Sequence, residues 1–178
     1  PPRPHALLPA SPAIAAGDPG SSPPTDQRGA VRPAGAGCDG TTAPDAGAFE
    51  LERYVVVNTA NTGAGSLRRA VSDSNAGLGT SLICFALGAG SSTITLTTGE
   101  LSITKSTQIL GPGTAALTVS GNNASRVFNV NAAATVSISG LVVAQGRAAF
   151  GAGINNAGTL TLTDCVLTGH HAVGTSGG

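Results

Sequence analysis

The sequence predicts an all-β solenoid entered through a capping helix, and three observations carry that expectation. From Thr93 onward apolar and hydroxyl residues alternate in short runs, one of these runs recurs with a shift of 24 residues, and 26 of the 178 residues are glycine while aromatics make up only 3%. Alternation with a period of two marks strands with one buried and one wet face. Recurrence at a period in the twenties, with Gly and Asn at the corners, marks strands that pair coil to coil and bury a core that no single coil could form.

The runs are Thr93-Ile94-Thr95-Leu96-Thr97, Leu101-Ser102-Ile103-Thr104, Leu117-Thr118-Val119-Ser120, Val136-Ser137-Ile138-Ser139 and Leu160-Thr161-Leu162-Thr163. Val136 to Val143 superposes on Leu160 to Leu167, and a looser copy is read from Leu101 through Ile103 to Ile109-Leu110-Gly111. The superposition sends Val136, Ile138, Leu160 and Leu162 inward and places Cys165 where Leu141 sits, as a buried thiol. Cys84 is read the same way, because free cysteine packs as a small hydrophobe. Asn122, Asn123, Asn155 and Asn156 fall at corners, where their amides satisfy backbone groups that a turn leaves unpaired.

Charge and proline divide the chain. Thirteen of the eighteen charged residues lie in residues 1 to 73, and ten of the eleven prolines lie before residue 45. Residues 1–50 therefore read as an irregular Pro/Gly-rich segment without periodicity, expected to pack loosely, and residues 51–178 as the start of the solenoid. Tyr54-Val55-Val56-Val57 reads as a strand. Ser66 to Gly77 reads as an amphipathic helix over about 66–76, with Ser66 as N-cap, Gly77 as C-cap, Leu67, Ala70, Val71 and Ser74 on the apolar stripe, and Arg68, Arg69 and Asp73 facing solvent. It is expected to cover the end of a sheet whose unpaired edge would otherwise template aggregation, with regular coils following from about residue 93. No methionine occurs, so the chain is expected to be a processed, trimmed or excised part of a longer product.

Residues 54 to 178 resemble the start of bacterial secreted right-handed parallel β-helix proteins, including pectin-lyase-like and polymorphic outer-membrane-protein-like repeats. The residues carrying the resemblance are Val57-Asn58-Thr59, Gly63-Ala64-Gly65-Ser66-Leu67-Arg68-Arg69-Ala70, Gly111-Pro112-Gly113, Leu117 to Phe128 and Gly158 to Thr163. Phe128-Asn129-Val130-Asn131 and Gly151-Ala152-Gly153-Ile154 are similar to two short motifs of the polymorphic outer membrane proteins, in reversed order. Leu8 to Ile14, Gly17-Asp18, Thr25 to Gly29, Arg32-Pro33, Cys38-Asp39 and Gly47 to Glu50 resemble the closing segment called a choice-of-anchor Q domain, with Ala15 in a place where that family usually carries Asp and Gly40 to Pro44 interrupting its ending. The resemblance implies a tandem arrangement in which one unit ends near Glu50 and another begins near Tyr54. It also implies a secreted or cell-surface bacterial protein.

Balanced charge, nine basic against nine acidic residues, gives no electrostatic footprint for nucleic acid. No apolar run approaches the length of a membrane-spanning helix. A polysaccharide lyase on such a scaffold needs clustered carboxylates for Ca²⁺ and a basic residue, and a glycoside hydrolase needs two facing carboxylates. The coils offer only Glu100 and Asp164, on different turns, so no catalytic residue is assigned. His170-His171 point to opposite faces of a strand and cannot chelate together, so no metal site is assigned. Asp18, Asp26, Arg28, Arg32, Asp39 and Asp45 are read as an ion-pair network, with a Ca²⁺ site as the alternative; otherwise no cofactor is expected. The surface-contact candidates are the outward hydroxyls Thr95, Thr97, Ser102, Thr104, Ser137, Ser139, Thr161 and Thr163. The function expected is a non-enzymatic module for adhesion or contact with a polysaccharide or a host or cell-surface glycan. The alternatives are a lyase or hydrolase fragment with its site beyond residue 178, and a Thr/Ser-rich ice-binding solenoid.

Overall fold

The computed structural model describes residues 12–13, 16–18, 20–27, 29, 45–46 and 51–174. The expectation of loose packing over residues 1–50 therefore lies mostly outside the described residues. In chain order the elements are β1 (Glu52–Val56), α1 (Leu67–Ala76), β2 (Ser81–Phe85), β3 (Ser92–Thr95), β4 (Leu101–Ile103), β5 (Thr107–Leu110) and β6 (Leu117–Ser120). They continue as β7 (Phe128–Val130), β8 (Thr135–Ser139), β9 (Val142–Ala144), β10 (Arg147–Ala148), β11 (Ile154–Asn156), β12 (Thr159–Thr163), β13 (Val166–Thr168) and β14 (His171–Ala172).

Every strand pairs parallel with its counterpart one coil away. Three walls result, ordered β1-β2-β5-β8-β12, β3-β6-β9-β13 and β4-β7-β11, with a short fourth ladder β10-β14. The chain is a parallel β-solenoid of about five turns. The 24-residue shift is realised residue by residue, with Val136 opposite Leu160 and Ile138 opposite Leu162. The looser copy is corrected by the register: Ile138 stands opposite Ile109, whereas Leu101 and Ile103 stand opposite Phe128 and Val130 on another wall. The coil between them is 29 residues from Thr107 to Val136, so a fixed period slips onto the wrong strand. β1 and β2 already belong to the five-stranded wall, so stacking precedes the alternation that begins at Thr93.

Parallel in-register pairing converts each inward position into a column. Ile83, Ile109, Ile138 and Leu162 form one, and Ile94, Val119, Val143 and Leu167 a second. Leu101, Phe128 and Ile154 form a third. Phe128 is fully buried in its column between Leu101 and Ile154 and is the largest of the fully buried side chains. Leu162 and Leu167, in the last described coil, remain 38% and 46% exposed because no further strand covers them among the described residues.

Corners need unusual backbone. Asn122 and Asn123 both adopt positive φ, 58° and 52°, which asparagine tolerates better than most residues. Gly140 has φ 63°, and a Cβ there would fall 2.6 Å from the Gly111 carbonyl oxygen, so two coils touch where both corners lack a side chain.

The helix closes the first end. Ser66 caps it by accepting the Arg69 N–H at 3.2 Å, and Leu67, Ala70, Val71 and Ser74 are buried against the first coils, as the stripe predicts. Asn75 acts as a substitute strand: its Nδ2 donates to the Ser102 carbonyl and its Oδ1 accepts the Thr104 N–H, both at 2.8 Å, satisfying the free edge of β4. Arg69 and Asp73 pair on the outer face at 2.8 Å. Arg68 does not face solvent as expected; its guanidinium turns inward and donates to the Gly99 and Glu100 carbonyls at 2.5 and 2.8 Å. The C-cap Gly77 is extended, not left-handed, and a Cβ there would displace the Glu52 carboxylate.

Phe128→Ala should lower the free energy of unfolding by about 3–5 kcal/mol, since strands fixed in register above and below cannot collapse around the void. Asn75→Ala should cost about 1–3 kcal/mol and selectively raise amide exchange at Thr104. Urea denaturation and hydrogen exchange check both.

Candidate functional site

The outward positions also form columns, and these are where the solenoid meets solvent. On the five-stranded wall Gln108, Ser137 and Thr161 stand in register, followed two residues along by Leu110, Ser139 and Thr163. On the three-stranded wall Ser102, Asn129 and Asn155 stand in register. Adjacent ranks are therefore about 4.8 Å apart. The structure thus brings Ser137, Ser139, Thr161 and Thr163 together on one face and places Ser102 on another. Thr95 lies on a third wall, in a column with Ser120, Ala144 and Thr168. Thr97 and Thr104 sit just past their strands, where their N–H groups are engaged by Asn61 and Asn75. The neighbouring outward column on the third wall changes from Thr93 and Thr118 to Val142 and Val166, so it is not a uniform threonine rank.

An amide ladder on the three-stranded wall was not singled out from the sequence, and Asn155 and Asn156, expected at a corner, lie in strand β11. Asn155 Nδ2 donates to Asn129 Oδ1 at 2.8 Å, and Asn129 Nδ2 donates to Asn131 Oδ1 at 3.3 Å. The signal was present: Phe128-Asn129 and Ile154-Asn155 are 26 residues apart. The two short motifs noted above become direct neighbours, since β7 pairs with β11.

The coil carboxylates are separated. Glu100 pairs with Arg126 at 2.6 Å, and the same guanidinium donates to the Gly151 and Phe150 carbonyls, both at 2.9 Å. Arg126 thereby ties three successive corners together. Asp164 lies at another corner with φ 49°. A shallow groove of about 240 Å³ runs between α1 and β4, lined among others by Arg68, Ser72, Asn75, Glu100 and Ser102. It is smaller than the roughly 300–1,000 Å³ of ordinary small-molecule sites, and Arg68, Asn75 and Glu100 are already engaged as described.

His170 accepts the Gly146 N–H on Nδ1 at 3.0 Å, while His171 is exposed. Among the described residues no group of three or more His, Cys, Asp or Glu could hold a metal. Asp18 accepts from the Gly20 N–H and the Ser21 hydroxyl, which hold its carboxyl below the usual carboxylate range. Asp45 is fully buried, accepts the Leu51 N–H at 2.7 Å and pairs with buried Arg53, a partner the sequence reading did not name. Arg28, Arg32 and Asp39 lie outside the described residues.

The cysteines differ from expectation at both described positions, since Cys165 is only partly buried and Cys84 is not free. Cys84 is buried but disulfide-bonded, not a free core thiol; it faces outward on β2, in the column of Val55 and Leu110, where a covalent partner can reach it. Cys165 is a free thiol packed against the core, donating weakly to the Ile138 carbonyl at 3.4 Å.

No helix among the described residues is long and apolar enough to cross a membrane. Comparison with protein-family models, curated proteins and solved structures gives no match. The class that the geometry defines is the parallel β-solenoid.

Arg126→Lys should lower stability by about 1–3 kcal/mol, because an ammonium cannot serve three diverging acceptors; thermal unfolding checks this, with little dependence on added salt. Thiol titration of the unfolded chain should return more thiols after reduction than before, with Cys84 reacting only after reduction and Cys165 before it. Cys84→Ser should cost about 2–5 kcal/mol.

Proposed function

We propose that this solenoid is a non-catalytic module, secreted or displayed on a bacterial cell surface, that makes contact with glycans through its outer walls. The observation that carries the reading is the in-register stacking of hydroxyl and amide groups, Gln108–Ser137–Thr161 on one wall and Ser102–Asn129–Asn155 on another. Such ranks offer repeated donors and acceptors to a polymer of hydroxyls, and a rigid wall orders few side chains on binding. Support for the compartment comes from the disulfide at Cys84, since disulfides persist mainly in oxidising surroundings. The resemblance of residues 54 to 178 to secreted β-helix proteins points the same way. Pairing of Glu100 with Arg126, away from Asp164, favours binding over hydrolysis in these coils.

Retention on a panel of plant and bacterial polysaccharides tests the reading. The chain should be retarded by at least one polymer, and the triple variant Gln108→Ala, Ser137→Ala, Thr161→Ala should bind roughly tenfold more weakly, the equivalent of about 1.4 kcal/mol. Release of reducing ends or unsaturated products would make it a carbohydrate-active enzyme instead, and retention unchanged in the variant would remove this wall from the contact.

A further inference from the structure

The corner preceding β10 is closed by a side chain. Gly146 has both backbone groups engaged by the next coil: its carbonyl accepts the His171 N–H at 2.9 Å, and its N–H donates to His170 Nδ1 at 3.0 Å. The carbonyl bond is ordinary parallel pairing, continued by β10 and β14. The other bond is different, because an imidazole nitrogen takes the place of a backbone acceptor.

The imidazole occupies a slot made by two glycines. A Cβ on Gly146 would fall 2.9 Å from Nδ1, and one on Gly153 would fall 2.7 Å from Nε2, so neither corner could carry a side chain with His170 in place. Nε2 is buried without a hydrogen-bond partner. Nδ1 accepts a hydrogen bond only while it carries no proton. Protonation therefore sets an N–H against an N–H in a slot with no room to turn.

The charged groups on the surrounding elements do not offset that conflict. β10 contributes Arg147, β14 contributes His171, and the corner loop is held by Arg126, whose charge is already met by Glu100. The nearest chain neighbour and the paired strand are thus both basic.

We propose that His170 is a proton-sensitive latch that fastens the last described coil to the Gln145–Gly153 corner, the corner that presents Phe150 to solvent. The direction of its ionisation agrees: burial, with His171 adding to it and the Val143 carbonyl opposing, holds the imidazole below its ordinary 6.5. A histidine with a depressed folded value contributes full stability while neutral, above the ordinary value, and loses it as pH falls from there through the depressed value. The latch is closed near neutrality and opens in acid. It stands independently of any glycan contact.

Hydrogen exchange of the full chain at pH 7.5 and 5.0, corrected for intrinsic rates, reads the latch directly. Protection at Gly146 and across His171 to Val173 should fall severalfold in acid, because the protonated imidazole no longer accepts the Gly146 N–H. The fall should persist in His171→Ala and disappear in His170→Gln, whose amide oxygen can accept but not titrate. Should either variant disturb the coil, an NMR titration of the wild-type His170 imidazole decides: it should titrate below its ordinary 6.5, with Nδ1 unprotonated at neutrality. Protection independent of pH, an equal acid response in His170→Gln, or a His170 imidazole titrating at or above 6.5 would overturn the proposal.

Discussion

In-register parallel pairing from one coil to the next is the interaction on which the rest of this molecule depends. Because each strand repeats the register of the strand before it, Ile83, Ile109 and Ile138 stack without being adjacent in sequence, and so do Ile94, Val119 and Val143. The columns are narrow and almost wholly aliphatic, which explains a core without tryptophan or methionine. Each coil is too short to bury its own apolar face, so stability is a nearest-neighbour property that accumulates along the axis. The same pairing produces the outer polar ranks, so core and surface repeat for one reason.

A stack of this kind has a beginning, and the beginning needs other chemistry. Among the described residues no strand precedes the first coils to satisfy them. Helix α1 meets that need with side chains, Asn75 imitating a strand edge on β4 and Arg68 collecting carbonyls at the Gly99–Glu100 corner. Asp45 and Arg53 of β1 form a buried pair, where two charges are tolerable because each meets the other and Asp45 also accepts the Leu51 N–H. The corners repeat the device on a smaller scale, with Arg126 bridging three coils and His170 serving one backbone N–H. Charged residues are scarce in the coils, and Glu100 and Arg126 fasten corners.

That distribution bears on function. Glu100 is committed to an ion pair with Arg126 at one corner and Asp164 lies at another, while hydroxyls and amides stand in register on the walls. The walls differ in composition: one mixes Ser and Thr with Gln and Leu, another is an asparagine ladder, and the third turns from hydroxyl to apolar along the axis. A ligand that reads one wall need not read the others, which makes wall-specific variants informative.

Local pattern sufficed for several features. Period-two alternation gave the inner and outer residues of β8 and β12, the 24-residue shift gave their register, and the Ser66 cap with its apolar stripe gave α1 within a residue. These depend only on neighbours in the chain. Coil length was not legible in the same way, because corners vary freely: spacing between stacked residues is 24 at β8–β12 but 29 at β5–β8, and a fixed period therefore misassigned Leu101 and Ile103. The inward turn of Arg68, the Asn129–Asn155 ladder, the Arg126 clamp and the His170–Gly146 bond join residues on different coils or on the helix and a coil. By itself the sequence determined which residues alternate and which helix precedes them. Only the tertiary structure decided which of them meet, because side chains on separate coils become neighbours through backbone register, and register is set by the whole stack closing on a common core.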